Sequence, residues 1–311
     1  MAQAESPPGR HFQGAAVSDG YAHFPPSWAS DWGEDEIGVY ADFRIGTERQ
    51  RCRWIPPGRF LMGSPEDEPE RFDDEVQHSV VLSRGYWLAD TACTQALWQA
   101  VTGQNPSQFK GDAQAPVEQV SWEDVQGFLG ELNRRVPGLE AGLPTEAQWE
   151  YACRAGTTTP FSFGAQIMPE QVNYDGNRPY AGGEKGEYRE RTVAVKSLPP
   201  NGWGLYEMHG NVWEWCADWH GEYGPEERTD PAGPASGDSR VLRGGAWRLN
   251  AKFCRSARRT GVGPDGRFYL FGFRLAPGQA VSRADESSPG LSGQGGAEHR
   301  AGQDSPGDDV A

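Results

Sequence analysis

The sequence predicts an α+β fold that is irregular and rich in loops, with three helices and short antiparallel strands. Helical periodicity is confined to residues 94–156, and the rest of the chain shows short strand-like runs between turn residues. The 311 residues include 41 glycines, 24 prolines and 12 tryptophans, a mixture typical of irregular backbone anchored by aromatic side chains. Helices that precede the strands, instead of alternating with them, favour α+β over a parallel α/β fold.

Each helix can be located from its end signals. The first helix follows the capping residue Thr94 and ends before Gly103. The second begins at Ser121, where Asp124 completes a capping box, and the third begins at Thr145. The apolar faces of the second and third helices consist of Val125, Phe128, Leu129, Leu132, Trp149, Ala152 and Cys153.

Composition divides the chain into a flexible leader over residues 1–27, one domain over residues 28–276, and a tail over residues 277–311. The leader is rich in Pro, Gly, Ala and Ser. The tail has no aromatic residue, and Gly, Ser, Asp and Glu dominate it. Such a segment buries too little apolar surface to offset its ordering entropy, so we expect the tail to be disordered.

Charge and cysteine content restrict the partners and the compartment. The net charge of −15 disfavours a nucleic-acid surface, and no apolar run is long enough to cross a bilayer. We therefore expect neither nucleic acid nor membrane as a partner. Five widely spaced cysteines, in a sequence without a signal-peptide pattern, do not form a disulfide framework. These features indicate a reducing, cytoplasmic location.

The segment from residue 240 to residue 275 combines a regular frame with an interior of neither helical nor strand periodicity. Its strongest apolar run, residues 268–271, follows a turn signal at residues 264–266. One interpretation is a buried strand that ends the core. The other is a ligand-facing surface with side chains suited to contact. The candidate contact residues are Arg248, Leu249, Asn250, Phe253, Arg258, Thr260, Val262, Gly266, Phe268, Tyr269, Leu270 and Phe271.

Seven segments, in a fixed order over about residues 52–276, resemble the formylglycine-generating enzyme, or sulfatase-modifying factor, family. They are residues 55–64, 116–122, 143–152, 201–206, 210–215, 243–245 and 272–274. The resemblance implies a C-type-lectin-like α+β domain with little regular structure.

The same resemblance bears on catalysis. Enzymatic members of the family oxidise a cysteine of a sulfatase peptide with copper, which two cysteines hold in a Cys-x₄-Cys arrangement. The alignment puts Leu249 at the first position, Cys254 at the second, and Ala246 where those enzymes have serine. Copper(I) is a soft ion that both thiolates must bind, so we expect no copper and no catalytic residue. If the chain is an enzyme, Cys254 is the candidate.

The family resemblance also implies structural calcium at two sites. Carboxylate, amide and carbonyl oxygens are the ligands that calcium prefers. The first site would use the side chains of Glu207 and Glu214 with the carbonyls of Gly210 and Val212. The second would use Asn173, the Tyr174 carbonyl and Glu187. The alternative for the first site is that the two glutamates accept hydrogen bonds from backbone amides.

The 240–275 segment further resembles the variable region of proteins diversified by retroelements, in which template adenines are copied with errors. The frame comprises Trp247, Ala251, residues 254–257, Arg259, residues 264–265, Arg267 and residues 272–274. The residues between these frame positions can nearly all arise from the asparagine codon AAC, although Lys252 cannot. Aromatic, arginine and small residues on a rigid scaffold are typical of binding loops.

The sequence therefore predicts a non-catalytic protein whose region 247–271 binds a protein or small-molecule ligand. One alternative is a divergent oxidoreductase whose groove occupies the same face, where only Cys254, Arg258 and Tyr269 could react. A second alternative is an interaction module without variability.

Overall fold

The computed structural model of this protein describes residues 24–278, which contain three helices and eleven strands. The helices are α1 (Gln95–Thr102), α2 (Trp122–Arg135) and α3 (Glu146–Arg154). The strands are β1 (Asp31–Glu34), β2 (Val39–Ile45), β3 (Glu48–Ile55), β4 (Gly58–Met62), β5 (His78–Leu82), β6 (Tyr86–Ala89), β7 (Trp213–Trp219), β8 (Arg228–Thr229), β9 (Arg240–Arg243), β10 (Arg259–Val262) and β11 (Phe271–Gly272).

The strands form three small sheets. The first has the order β1-β2-β3-β6 and is antiparallel throughout. The second has the order β10-β9-β7-β11, and the third β4-β5-β8. Two pairs, β7 with β11 and β5 with β8, are parallel, so the strands are not all antiparallel as the sequence suggested. Both parallel partners are two-residue strands that long loops bring to the edge of a sheet.

All three predicted helices are confirmed, with the predicted caps, whereas the expected order of helices before strands is wrong, because β1 to β6 precede α1. The Thr94 hydroxyl accepts a hydrogen bond from the Leu97 amide, and α1 ends at Gly103 in the left-handed conformation. Full capping boxes begin α2 at Ser121 and α3 at Thr145. The Trp149 side chain on α3 is fully buried, and this helix contacts both β4 and the β7–β9 pair.

Buried ion pairs attach the 240–275 segment to the rest of the domain. The side chains of Arg243, Arg255, Arg259 and Arg274 are fully buried or nearly so. Their carboxylate partners are Glu150 for Arg243, Glu68 and Glu75 for Arg255, Glu146 for Arg259, and Glu214 for Arg274. Removing one partner of such a pair would leave a buried charge without compensation, so these arginines rigidify the segment.

The described residues include only the end of the predicted leader and the start of the predicted tail. Phe24 packs edge-on against Trp32, with ring centroids 5.1 Å apart, and stacks near Trp87. Ordered packing therefore begins before residue 28. The remaining leader residues, 1–23, and tail residues, 279–311, lie outside the described residues.

Candidate functional site

The structure divides the predicted contact residues into two groups. Seven are at least partly exposed: Arg248, Asn250, Thr260, Val262, Gly266, Phe268 and Tyr269. Five are buried: Leu249, Phe253, Arg258, Leu270 and Phe271. For these five the expectation of an exposed contact surface is wrong, because their side chains pack inside the domain.

The apolar run at residues 268–271 is a tight turn that leads into a short strand. The Phe271 amide donates to the Phe268 carbonyl at 3.0 Å, and the Leu270 carbonyl accepts from the Trp213 amide at 2.7 Å. Phe271 pairs with Trp213 in the sheet and packs against Trp215. Both interpretations of this run therefore hold for different residues, since its second half enters the core and its first half remains at the surface.

Phe253 and Arg258 pack against a loop that the sequence did not single out. The Arg258 guanidinium lies 3.7 Å from the centroid of the Phe72 ring, and the Phe253 ring lies 5.7 Å from it. The Arg255 ion pairs with Glu68 and Glu75 hold this same loop in position. These contacts fix the 65–76 loop against the 251–258 segment.

Four half-buried aromatic side chains surround the buried Trp247 ring at the exposed part of the segment. We call this cluster the aromatic patch; it comprises Phe109, Tyr188, Trp247, Phe268 and Tyr269. The Trp247 ring lies 5.2 Å from Phe109, 6.1 Å from Tyr188 and 5.9 Å from Tyr269, and Phe268 stacks on Tyr269 at 4.4 Å. Sequence reasoning missed Phe109 and Tyr188 because they lie far from the 240–275 segment along the chain.

The aromatic patch carries polar groups suited to recognition. The Arg248 guanidinium donates a hydrogen bond to the Tyr269 hydroxyl. The Trp247 indole N–H is buried and has no hydrogen-bond partner among residues 24–278. Since an unpaired buried donor costs free energy, a ligand acceptor that reached Trp247 would be favoured. Next to the patch, Arg178 donates to the Asn250 side chain at 3.2 Å.

The residues at the expected copper position lie in the interior. Leu249 is buried, and Cys254 is fully buried with its Sγ close to Gly245. Burial raises the pKa of the Cys254 thiol well above its usual range. A reactive or metal-binding cysteine requires its thiolate form, and this environment disfavours that form.

A histidine that the sequence left unassigned contacts this region. His209 donates from Nδ1 to the Cys254 carbonyl at 2.7 Å, and its Nε2 accepts from the Ser162 amide at 3.1 Å. This pattern fixes the neutral tautomer, and burial lowers the pKa of His209 to about 4. The Cys153 sulfur is 3.6 Å from His209 Nε2, but burial raises the pKa of that thiol to about 12. His209 thus has a structural role here and does not activate Cys254.

At the first calcium position, Glu207 has the properties of a carboxylate that lacks a counter-ion. Both of its carboxylate oxygens are buried without a well-formed hydrogen bond among the described residues. Burial raises the pKa of Glu207 to about 8, partly offset by the charge of Arg274 and by the nearby backbone amides of Leu198 and Lys196, so the alternative of amide donors stays open for this residue. Positive φ angles at Glu207, Gly210 and Asn211 curl the backbone around this point. These features fit a hard cation that binds carboxylate and carbonyl oxygens.

Glu214 differs from Glu207 because it already has protein partners. It accepts hydrogen bonds from Trp149 at 2.7 Å and from Arg274 at 2.6 and 2.8 Å. Its Oε1 receives only one of these bonds, so it retains a lone pair for a further ligand. The proposed alternative of bonds from backbone amides does not describe Glu214, whose donors are side chains.

The second calcium position is less complete. The Asn173 side chain is fully buried, and its Oδ1 has no partner among residues 24–278, whereas its Nδ2 donates to the Arg191 carbonyl and to Asn211. Glu187 is exposed and pairs with Arg189 at 3.0 Å. Tyr174 is buried, and burial raises the pKa of its hydroxyl to about 12. Of the two side chains expected here, Asn173 and Glu187, only Asn173 has a buried oxygen without a partner within residues 24–278.

Two further properties concern the part of the chain that the structure describes. No group of three or more His, Cys, Asp and Glu side chains is arranged there to hold a metal ion. None of its helices has the length and apolar character that crossing a membrane requires.

Comparison with known proteins identifies relatives of this chain. The family model described as "Sulfatase-modifying factor enzyme 1-like domain" matches residues 45–278. The formylglycine-generating enzyme of Mus musculus is 35% identical over 209 residues, which cover 64% of this chain and 53% of the relative. The formylglycine-generating enzyme of Thermomonospora curvata is 35% identical over 215 residues, which cover 65% of this chain and 67% of the relative. The match to the mouse enzyme thus spans about half of that protein's length.

A solved structure extends the similarity to the tertiary level. Treponema denticola variable protein 1 matches with a TM-score of 0.65 and 28% identity, over 76% of this chain and 98% of the other. Together with the three helices and the small mixed sheets, this similarity confirms the predicted fold class.

Proposed function

Since the chain belongs to the sulfatase-modifying factor enzyme 1-like family, we propose that it uses the family fold to bind a protein or small-molecule ligand, without copper-dependent oxidation. One observation carries this proposal: the position that the family resemblance assigns to the first copper cysteine is occupied by a buried leucine, Leu249. The other thiol, Cys254, is fully buried with a raised pKa. One protonated thiol and one hydrocarbon side chain cannot bind copper(I).

The ligand would contact the aromatic patch. Tyr and Trp rings provide rigid contact area at little entropic cost, and Arg248 adds a charge at the edge of the patch. The unpaired Trp247 N–H favours a ligand with a hydrogen-bond acceptor. The proposed binding residues are therefore the seven predicted contact residues that are at least partly exposed, together with Phe109 and Tyr188.

We further propose that this surface is diversified. The frame residues Arg255, Arg259 and Arg274 are buried in ion pairs, whereas Arg248, Phe268 and Tyr269 between the frame positions reach the surface. Substitution at exposed positions leaves the ion pairs in place, so the fold would tolerate variation there. Similarity to Treponema denticola variable protein 1 supports this proposal.

Structural calcium is part of the proposal at the first position. Glu207, Glu214 and the carbonyls of Gly210 and Val212 would hold the ion, which would neutralise the buried Glu207 carboxylate. At the second position, Asn173 and the Tyr174 carbonyl would take part, and Glu187 would first have to leave Arg189.

The alternative is a divergent oxidoreductase, since two similar proteins are named formylglycine-generating enzymes. Cys254 and Arg258 are buried, the latter against Phe72, so of the three candidate reactive side chains only Tyr269 is accessible at the surface.

We also propose a cytoplasmic location. The five cysteines are free and buried, which fits a reducing compartment.

Two experiments test the proposed function. The full chain is incubated with copper(I) and a sulfatase-motif peptide, beside an active family member as a positive control, and aldehyde is measured by mass spectrometry. We expect none from this chain, and turnover would overturn the non-catalytic proposal. The DNA flanking the gene is then sequenced. A near-copy of the codons for residues 247–271, changed at adenines and next to a reverse transcriptase gene, would support diversification; its absence would contradict it.

A further inference from the structure

A cavity of about 440 Å³ lies between the start of α3 and the loop that follows β7. Its polar lining includes His78, Glu146, Asp218 and Arg259, and its apolar lining includes Met62 and Pro231. None of the residues of the aromatic patch or of the two calcium positions lines it. Its volume is within the range typical of small-molecule sites.

Asp218 is the distinctive group of this cavity. Its side chain is only 4% exposed. Its Oδ2 accepts a hydrogen bond from the Glu146 amide at 2.8 Å, its own backbone amide also stabilises the carboxylate, and Oδ1 lies against the cavity wall at Gly233. Burial and the nearby charge of Glu146 raise the pKa of Asp218 to about 7. The carboxylate is therefore short of compensating positive charge.

Neither arginine near Asp218 forms an ion pair with it, although the charges of Arg240 and Arg259 both act on the carboxylate. Arg259 makes a bidentate pair with Glu146, at 2.8 Å for both bonds, and donates to the Gly221 carbonyl. Arg240 donates to the Ala217 carbonyl at 2.7 Å and is stacked between the rings of Trp122 and Trp219. Among the described residues, Asp218 has no salt bridge within 4.0 Å.

The rest of the cavity suits a hydrogen-bond donor with an apolar body. His78 donates from Nδ1 to the Val76 carbonyl at 2.9 Å, so Nε2 of the neutral ring is left as an acceptor. The His78 ring packs against Tyr223, with centroids 4.8 Å apart. Met62 and Pro231 provide apolar wall. A metal ion fits poorly, because Glu146 is already paired with Arg259, which leaves Asp218 and the exposed Glu222 as the carboxylates of the lining.

We propose that this cavity binds a small organic cation, whose ammonium or amidinium group donates to Asp218 Oδ1 while its apolar part lies against Met62 and Pro231. Glu146 and Arg259 pair with each other, and the lining residues Glu222 and Arg228 have opposite charges, so the carboxylate of Asp218, which forms no ion pair among the described residues, favours a cation. This site is separate from the aromatic patch and does not depend on the proposed ligand of that surface.

The test uses cyclohexylammonium and the neutral, similarly shaped cyclohexanol as probes of the full chain in isothermal titration calorimetry. We expect saturable binding of the cation and at least about tenfold weaker binding of the alcohol, because the hydroxyl can still donate to Asp218 but carries no positive charge. Absence of cation binding at millimolar concentration, or equal affinity for both probes, would overturn the proposal.

Variants locate the site. Asp218→Asn should weaken cation binding by about tenfold or more, and Ala232→Trp, on an exposed position of the cavity wall, should block it. Asp238→Asn, an exposed change in the same loop outside the cavity, and Tyr269→Ala in the aromatic patch should leave affinity unchanged. Circular dichroism checks folding, and Ala232→Trp provides the test if Asp218→Asn fails to fold. Wild-type affinity in a folded Asp218→Asn or Ala232→Trp protein would refute the assignment.

Discussion

Replacing Glu207 with glutamine removes a buried carboxylate whose two oxygens have no well-formed hydrogen bond among residues 24–278. The folded-state pKa is about 8, against an ordinary value of 4.5. The folded protein therefore binds this proton more tightly than the unfolded chain does. The resulting stability is fully present below pH 4.5 and is lost as the pH rises through 8. At 1.36 kcal/mol per pKa unit, ionisation of Glu207 costs about 3 to 5 kcal/mol at pH 8 without calcium.

Glu207→Gln should therefore be more stable than the wild type at pH 8 in EDTA, by up to about 3 kcal/mol once the polarity of the amide is allowed for. Saturating calcium should reverse the order, because the ion binds and stabilises only the wild-type carboxylate. Urea unfolding at pH 5 and pH 8, with EDTA or calcium, measures all four conditions for each protein. The exposed change Glu170→Gln is the matched control and should show no reversal.

Two results would refute this reasoning. If EDTA leaves the wild-type melting temperature unchanged from that in calcium, the first position holds no structural calcium. If Glu207→Gln is less stable than the wild type at pH 8 in EDTA, the carboxylate is not the uncompensated charge inferred from its burial.

Three further predictions concern the aromatic patch, the copper position and the buried ion pairs. Phe268→Ala or Tyr269→Ala should lower the free energy of unfolding by about 1 kcal/mol or less, whereas Phe271→Ala, which is 3% exposed, should lower it by about 3–5 kcal/mol. Equal losses in urea unfolding would contradict the division of residues 268–271. The Leu249→Cys protein, incubated with copper(I) and a sulfatase-motif peptide, should form no aldehyde on the peptide, because Cys254 remains buried. Detection of the aldehyde by mass spectrometry would contradict this prediction. Although burial opposes it, the charge and hydrogen bonds of Arg259 lower the pKa of Glu146 to about 2. The stability from this pair is present above pH 4.5 and is lost as the pH falls through 2. Glu146→Gln should cost about 3–5 kcal/mol at pH 7 in urea unfolding, and a loss as small as that of the exposed Glu170→Gln would refute the role of the pair.

The three helices of this fold were predictable from the sequence, but the six strands that precede them were not. Thr94, Ser121 and Thr145 begin the three helices as expected, because a cap is a hydrogen bond between residues two or three positions apart. The family motifs also predicted the fold class, since they occur in order over most of the described chain.

The composition of the contact surface was not predictable in the same way. Residues 268–271 read as one apolar run, yet Phe268 and Tyr269 are partly exposed while Leu270 and Phe271 are buried. A tight turn, closed by the Phe271 amide and the Phe268 carbonyl, rotates the second pair into the core. A run of four residues is too short for the periodicity of apolar side chains to reveal such a turn.

By itself, the sequence determined the three helices and the ordered family motifs, because each depends on residue identity and short spacing. Only the tertiary structure decided which side chains meet. It brought Phe109 and Tyr188 to Trp247, paired Arg255 with Glu75, and left Glu207 and Asp218 short of compensating charge. The physical reason is that burial and long-range pairing depend on how distant loops pack together, and the spacing of residues along the chain does not encode that packing.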